Sequence, residues 1–263
     1  MTQYRSVLIT GASSGIGEAL SHTLSAPGVT LHLSGRDAAR LETVAAACRA
    51  RGATVHPQVI DVRDQAAMEA WIAQAAPLDA APLDLVVANA GIASGEGRTG
   101  GEKLERTRDI FGTNVDGMLN TVLPAMTVMA AQPAGPDGLR GRIAVIASVA
   151  AFMAIPDSAA YSASKAAADA WTVASARGAR ARGIQLTSVC PGYIRTALTA
   201  RNEFPMPGLM DADRAAGVIL RGIAAGRIRL VFPWWMGLLT RMLGLLPPGL
   251  TGKLMPNRTG ESA

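Results

Sequence analysis

The chain has 263 residues, of which 49% are hydrophobic and 17% charged, and its formal net charge is +5. This composition predicts one globular domain over 1–263 with a buried core, and it excludes a disordered chain. The basic excess is small and scattered, without a basic run interleaved with aromatic residues, so we expect no nucleic-acid binding.

The two cysteines, Cys48 and Cys190, each lie inside a predicted regular element, without a second cysteine or a histidine at ligand spacing. We therefore expect neither a disulfide nor a bound metal, and a reducing, cytoplasmic compartment. The first residues lead almost directly into an apolar strand, without the hydrophobic region of a signal peptide.

Short β-branched or leucine-rich runs alternate with longer alanine-rich helical patterns. The predicted strands are 6–10, 29–34, 54–60, 83–89, 142–148, 184–190 and 228–233. The predicted helices are 15–26, 37–51, 64–76, 103–131, 159–182 and 211–225. This alternation indicates parallel βαβ units, and therefore an α/β fold with a doubly wound parallel sheet of about seven strands and helices on both faces. Ligands bind such sheets outside the carboxyl ends of the strands.

The first strand is followed directly by TGASSGIGEAL, which opens a helix. Gly11, Gly15 and Gly17 permit a tight turn and a close approach of ligand to backbone, and the helix N-terminus presents free N–H groups to a pyrophosphate. The position of these glycines between strand and helix predicts a dinucleotide-binding loop, to which Ser13 and Ser14 add hydroxyl groups.

The second strand ends in LSGRD, with Gly35 and Arg36 where an NAD-binding protein usually has an acidic residue for the ribose 2′-hydroxyl. An acidic residue would repel a 2′-phosphate, whereas an arginine can form two hydrogen bonds with it. Arg36 therefore favours NADP(H) over NAD(H). A solvated arginine at the start of a helix is the alternative.

The third and fourth strands end in short polar or small residues. Asp61 and Val62 stand where the edge of an adenine would lie, and Asn89, Ala90 and Gly91 are small enough for a cofactor to lie against the backbone. An ordinary strand-end turn is the alternative at both places.

Ser148 ends the fifth strand, and Tyr161 begins the next helix with Lys165 four positions later. This spacing places phenol and ammonium on one helix face. A free tyrosine has a pKa of about 10, and an adjacent ammonium favours the phenolate and lowers that pKa. A nearby serine hydroxyl would hold a carbonyl or alcohol oxygen beside the phenol. The set predicts proton transfer coupled to hydride transfer.

With these motifs in this order, the chain resembles the short-chain dehydrogenase/reductase family, NADP-preferring and of about 250 residues. The resemblance covers nearly the whole chain and is carried by TGASSGIG, DV at 61–62, NAG, Asn114 in FGTNVDG, Ser148, YSASK and PGYIRT. It implies a Rossmann-type fold with Tyr161 as catalytic acid/base and Ser148 orienting the substrate oxygen. Lys165 would bind the nicotinamide ribose and lower the tyrosine pKa, and Asn114 would support a water-linked proton relay.

The motifs and the resemblance together predict the cofactor contacts. Ile16 and its neighbours would face the pyrophosphate, and Ile194 and Thr196 the nicotinamide carboxamide. The family's frequent basic residue before the second motif glycine is Ser14 here, so the NADP preference depends mainly on Arg36. The full set is Gly11, Ser13, Ser14, Gly15, Ile16, Gly17, Arg36, Asp61, Val62, Asn89, Ala90, Gly91, Tyr161, Lys165, Pro191, Gly192, Ile194 and Thr196.

The predicted function is an NADP(H)-dependent oxidoreductase that interconverts a ketone or aldehyde and an alcohol, acting on a small, apolar molecule. One alternative is a membrane-associated lipid or steroid reductase. The other is a non-catalytic NADP-binding sensor that acts through a partner.

Two loops lie outside the motifs. The segment 193–210 corresponds to the family's substrate loop, and packing is the alternative for its apolar residues Phe204, Met206, Leu209 and Met210. The loop after the fourth strand either lines the same pocket or merely connects, and it contains Gly95, Gly97, Gly100 and Gly101.

The C-terminal extension, 232–263, is apolar over 232–255. Arg241 interrupts this run, and Pro247 and Pro248 close it, so we expect no membrane-spanning helix. Three interpretations remain: a lid over a hydrophobic substrate, a subunit interface, or a helix lying in a membrane surface, which would make the protein peripherally membrane-associated.

The helices predicted at 103–131 and 159–182 have alanine-rich faces that permit close packing. The family resemblance implies that these helices form the interface of a homodimer or homotetramer.

Overall fold

The computed structural model describes residues 4–76, 81–93, 103–155, 158–201, 205–247 and 249–250. The strands are β1 (Ser6–Ile9), β2 (Thr30–Gly35), β3 (Thr54–Val59), β4 (Leu85–Ala88), β5 (Gly141–Ile146), β6 (Ile184–Pro191), β7 (Ile194–Arg195), β8 (Met210–Asp211) and β9 (Arg229–Phe232). The α-helices are α1 (Gly15–Leu24), α2 (Ala38–Ala50), α3 (Gln65–Ala75), α4 (Leu104–Phe111), α5 (Gly117–Ala131), α6 (Ala159–Ala181), α7 (Ala212–Ala224) and α8 (Trp234–Gly244).

Seven strands form one parallel sheet in the order β3-β2-β1-β4-β5-β6-β9. The predicted Rossmann-type α/β fold is confirmed, and each predicted strand has its counterpart in this sheet. The strand order reverses between β1 and β4, which is where doubly wound sheets bind their ligands. β7 and β8 form a separate parallel pair, and two-residue strands have no periodicity from which they could be predicted.

The two faces of the sheet bury separate apolar layers. Val7 and Ile9 of β1 pack with side chains of α1, α2 and α7, whereas Leu8 packs with side chains of α3, α5 and α6. This division follows from the alternation of side chains along a strand. All residues of β1, β4 and β6 are buried, as expected for strands that are covered on both faces.

The helix predicted over 103–131 is divided in the structure. α4 ends at Phe111, a π-helical turn covers Gly112–Asp116, and α5 follows. Val62 packs so closely on Gly117 that a Cβ atom there would overlap its side chain. A π turn adds one residue within a continuous helical path, so the apolar pattern of the sequence does not show the break.

α8 is formed by the apolar C-terminal run, while 248 and 251–263 lie outside the described residues. Within the ranges given above, no helix is both long and apolar enough to cross a membrane.

Candidate active site

The glycine-rich turn after β1 is closed by backbone hydrogen bonds to its neighbours in the sheet. Thr10 N donates to Val87 O over 3.1 Å, and Ala12 N donates to Ser34 O over 2.8 Å. Gly11 and Gly15 have φ angles of +64° and +62°, a conformation that favours glycine. The backbone conformation of this turn therefore favours glycine at these two positions, independently of any ligand.

Asn89 ties this turn to the end of β4. Its Nδ2 donates to both Thr10 O and Gly11 O over 3.0 Å, and its backbone N–H donates to Thr10 Oγ1 over 3.0 Å. A Cβ atom on Gly11 would lie 2.8 Å from Ala90 Cα, and one on Gly17 would overlap Gly11 O. The ends of β1 and β4 thus meet at a surface of exposed backbone. Side chains at Gly11 or Gly17 would fill this surface, and their absence fits a dinucleotide that lies against the backbone.

α1 begins at this surface with Gly15 as its first residue. Its N-cap residue Ser14 makes no side-chain capping bond to any part of the chain that the structure describes. Ile16 is partly buried and packs against the apolar layer of α1, α2 and α7. The first N–H groups of α1 fit a pyrophosphate, because such groups and the helix dipole both favour an anion.

The end of β2 brings the predicted phosphate-binding residues together. A Cβ atom on Gly35 would lie 3.0 Å from Ser13 Oγ, so the Ser13 hydroxyl is next to the position that precedes Arg36. Arg36 is exposed, and Asp37 begins α2 by accepting a hydrogen bond from Arg40 N. The backbone around Arg36 is therefore fixed by the end of β2 before it and by the start of α2 after it.

Asp61 is held by an arginine that the sequence reasoning missed. The guanidinium of Arg63 donates hydrogen bonds to both Asp61 carboxylate oxygens, and its Nη1 also lies 3.0 Å from Asp109 Oδ1 of α4. These hydrogen bonds, together with the nearby charge of Arg36, lower the pKa of Asp61. Val62 is buried against Gly117. Its side chain therefore packs on the first residue of α5, directly after the π-helical turn.

Asn114 lies in the π-helical turn and is buried. Its Oδ1 accepts from Ile92 N over 2.8 Å, and its Nδ2 donates to Ile92 O and to Ser164 Oγ over 2.9 and 3.0 Å. Ser164 in turn donates to Tyr161 O over 2.8 Å. Asn114 thus joins the loop after β4 to Ser164 in the second turn of α6. π turns often occur at functional sites.

Lys165 is buried one turn along α6 from Tyr161. Its Nζ donates to Ile146 O over 2.7 Å, and a Cβ atom on Gly91 would lie 3.3 Å from Nζ and 3.2 Å from Asn114 Oδ1. Burial lowers the pKa of Lys165 from 10.5 to about 8. The ammonium is therefore at the bare backbone of Gly91, where a cofactor ribose would fit.

Tyr161 and Ser148 are brought together as predicted. Ser148 caps a 3₁₀ turn over Val149–Phe152 by accepting from Ala150 N, and it shares a hydrogen bond with Tyr161. Burial raises the pKa of Tyr161, and the bond with Ser148 opposes this shift. The lowering expected from Lys165 does not prevail in this geometry, because burial of the phenol is the larger effect and Nζ lies 5.9 Å from the ring centre.

A buried polar cluster behind Lys165 was also missed. Asp169 accepts hydrogen bonds from Ser188 Oγ over 2.6 Å and from Arg229 Nε and Nη2 over 2.9 and 2.8 Å. Tyr161, Lys165 and Asp169 repeat every four positions on α6, a spacing that could have indicated it. Burial raises the pKa of Cys190 beside this cluster to about 12, so its thiol is not a nucleophile at neutral pH.

The residues after β6 approach the glycine turn from the other side. A Cβ atom on Gly15 would lie 3.0 Å from Thr196 Cγ2. Thr196 N donates to Thr199 Oγ1 over 3.0 Å, and Thr199 Oγ1 donates to Ile194 O over 2.6 Å. Pro191 is buried as the last residue of β6. Thr196 therefore lies against the glycine turn, whereas the side chain of Ile194 is buried in the apolar layer of α1, α2 and α7.

α8 borders the same edge. A Cβ atom on Gly192 would lie 2.6 Å from Met236 Sδ, and one on Gly208 would lie 2.9 Å from Trp235 Cζ2. The C-terminal helix therefore packs on both the PG motif and the predicted substrate loop.

Some predicted lining residues cannot be placed. Phe204 and the loop glycines Gly95, Gly97, Gly100 and Gly101 lie outside the described residues. Within the described residues, no three His, Cys, Asp or Glu side chains cluster where they could hold a metal ion.

Comparison with known proteins identifies the family to which the chain is similar. A model of the short chain dehydrogenase family matches residues 5–205. An uncharacterised oxidoreductase from Myxococcus xanthus is 37% identical over 246 residues, 93% of each chain. A provisionally named ketoacyl reductase of the monensin polyketide synthase from Streptomyces virginiae is 34% identical over 203 residues, 76% of each chain.

A solved short chain dehydrogenase/reductase from Burkholderia phymatum, in complex with NAD, has the same fold, with a TM-score of 0.79, 22% identity and full coverage of both chains. The chain belongs to the short chain dehydrogenase family. It is an oxidoreductase that uses a nicotinamide cofactor and interconverts carbonyl and alcohol groups.

Proposed function

We propose that the protein is an NADP(H)-dependent reductase of ketones or aldehydes, and dehydrogenase of the corresponding alcohols, with Tyr161 as its acid/base. The observation that carries this proposal is the meeting of the Tyr161 and Ser148 hydroxyl groups beside Lys165 Nζ and the bare backbone of Gly91. The name of the Streptomyces relative, a ketoacyl reductase, supports a carbonyl substrate.

In the proposed reaction the bound cofactor supplies a hydride to the carbonyl carbon and is itself oxidised. Ser148 Oγ holds the carbonyl oxygen beside the phenol. As negative charge develops on that oxygen, Tyr161 donates its phenolic proton to it, so the carbonyl gains one hydride and one proton. The alcohol is oxidised by the reverse transfers.

Lys165 and Asn114 would support the proton donor. The Lys165 ammonium is fixed by Ile146 O beside the ribose position and favours the phenolate that remains after proton transfer. Asn114 holds Ile92 and Ser164 in place and so fixes the first turn of α6. From this position Asn114 would support a water-linked proton relay through Lys165.

The preference for NADP(H) depends on Arg36. The exposed guanidinium follows Gly35 at the end of β2, with Ser13 Oγ adjacent, and a 2′-phosphate there would accept hydrogen bonds from both. The Burkholderia structure holds NAD, so this preference rests on the residues of this chain.

The test is a spectrophotometric screen of NADPH oxidation with ketones and aldehydes of graded size, run in parallel with NADH. We expect turnover with at least one carbonyl compound and faster turnover with NADPH. Absence of oxidation and reduction across a broad carbonyl and alcohol panel would favour the non-catalytic sensor instead.

We further propose an apolar small-molecule substrate, a homodimer or homotetramer, and a cytoplasmic location. The interpretation of the C-terminal extension as a lid is supported by the contacts of α8 with Gly192 and Gly208. A membrane-associated lipid reductase is the second candidate, and the outward side chains of α8 favour it.

A further inference from the structure

One side of α8 is apolar and faces outward. Trp234, Leu238, Met242 and Leu245 recur every three or four positions and form one stripe, with exposed fractions of 74%, 52%, 59% and 85%. Trp235 and Leu239 widen this stripe and are also exposed. These six side chains are called the outer face of α8.

The opposite side of α8 is already packed against the protein. Met236, Gly237 and Thr240 are buried, and Gly244 abuts the backbone of Phe152. The Arg241 guanidinium lies 4.0 Å from the Phe152 ring centre. The helix is therefore held by its inner side, and its outer face is exposed in the part of the chain that the structure describes.

Charge is unevenly distributed along the sequence, and the part that contains α8 is strongly basic. Residues 214–260 contain no Asp or Glu and seven basic residues: Arg214, Arg221, Arg227, Arg229, Arg241, Lys253 and Arg258. The chain has 25 basic and 20 acidic residues in total, so the other 216 residues contain 18 basic and 20 acidic ones. The entire net positive charge thus comes from the segment that contains α8.

We propose that the outer face of α8 docks on the surface of an anionic phospholipid bilayer. Basic residues attract anionic headgroups, and the apolar side chains then enter the boundary between headgroups and acyl chains, with Trp234 and Trp235 at headgroup level. A second copy of the chain is the less favourable occupant, because a symmetric contact through this face would bring two net-positive segments together, even though Arg229 is paired with Asp169.

This docking would also place the bilayer beside the active site. Trp235 contacts Gly208 of the predicted substrate loop, and Met236 contacts Gly192. An apolar substrate dissolved in the lipid would then reach the loop without crossing water. This consequence rests on the proposed function, whereas bilayer binding itself does not.

The experiment is co-sedimentation of the full chain with vesicles of phosphatidylcholine containing phosphatidylglycerol. Pure phosphatidylcholine vesicles and high salt serve as comparisons. We expect the protein to pellet with the anionic vesicles. It should stay in the supernatant with pure phosphatidylcholine vesicles and at high salt. The double variant Leu238→Glu/Met242→Glu should bind at least about tenfold more weakly, because two charges replace inserted side chains.

A matched control adds the same two charges at exposed positions of β3, on the opposite edge of the sheet, as Thr54→Glu/Val59→Glu. It should bind like the wild type, and thermal unfolding should show both variants folded.

Wild-type protein that stays in the supernatant, or equal pelleting of the two double variants, overturns the proposal. The proposal is also overturned if light scattering shows that the α8 variant differs from the wild type only by a smaller oligomeric mass. Carbonyl reduction with a water-soluble substrate, measured in parallel, separates a failure of docking from a failure of the proposed function.

Discussion

Lys165 Nζ donates a 2.7 Å hydrogen bond to the carbonyl oxygen of Ile146, the last residue of β5. Burial at this position lowers the pKa of Lys165 to about 8. We expect carbonyl reduction at saturating cofactor to slow as the pH rises through this lowered pKa, because the neutral amine no longer stabilises the phenolate left by proton donation.

A pH–rate profile from about pH 7 to 10 measures this effect, since an unperturbed lysine titrates near the top of that range. Lys165→Arg is the control, because an arginine stays charged throughout and should lack the descending limb. The same limb in both proteins would show that another group is responsible.

Replacing Tyr161 by Phe should remove the proton donor and leave the ring packing in place. We expect kcat to fall by about 10²- to 10⁴-fold, with little change in the Kd for NADPH. Ser162→Ala is the neighbouring control on α6, because Ser162 Oγ bonds only backbone carbonyls of the preceding turn in the described structure. Steady-state kinetics and NADPH titration give both quantities, and comparable turnover in Tyr161→Phe would contradict the assignment.

The sequence was sufficient for the sheet, the glycine turn and the pairing of Tyr161 with Lys165, because each depends on a local pattern. Other features depend on contacts between distant segments. Arg63 joins Asp61 to Asp109, 46 positions away, and Asn114 bonds Ile92, 22 positions away. Hydrogen bonds between such distant positions leave no periodic pattern in the sequence.

The pKa of Tyr161 shows the same limit in energetic terms. The spacing of Tyr161 and Lys165 indicated a lowered pKa, but spacing carries no information on burial, which raises it. Similarly, the four-residue repeat on α6 extends to Asp169, but its partner Arg229 is 60 positions away on β9.

Arg36→Ala should weaken NADPH binding selectively. The loss of charge-assisted hydrogen bonds to a 2′-phosphate corresponds to about 1.5–3 kcal/mol, whereas NADH affinity should change little. Arg40→Ala is the matched control, because Arg40 is exposed and already paired with Asp37 over 2.7 Å. Fluorescence titration of both variants with NADPH and NADH tests this, and parallel losses for the two cofactors would contradict the role of Arg36.

The stacked pair of His32 and His56 should make the protein less stable in mild acid. Burial, and then the neighbouring His56, lower the pKa of His32 from 6.5 to about 4. The unfolded chain therefore binds a proton at a higher pH than the folded chain does. The free energy of unfolding therefore falls as the pH drops from 6.5 to 4. Above pH 6.5 His32 is neutral in both states, and the stability that is lost in acid is fully present. Tm values across this window should fall less steeply for His32→Gln; an unchanged slope would exclude His32.

Asp169→Ala should destabilise the fold, because it leaves Arg229 and Ser188 without their buried acceptor. Asp169 is 7% exposed as a side chain and accepts two hydrogen bonds from Arg229, so we expect a loss of about 3 kcal/mol in the free energy of unfolding. Asp211→Ala is the control, since it breaks the Arg195 pair, whose side chains are 68% and 73% exposed, and should cost less than about 1 kcal/mol. Urea unfolding of both variants measures the difference. Equal losses would mean that the Asp169 cluster contributes no more than a surface ion pair, and that α6 is held behind Lys165 by apolar packing alone.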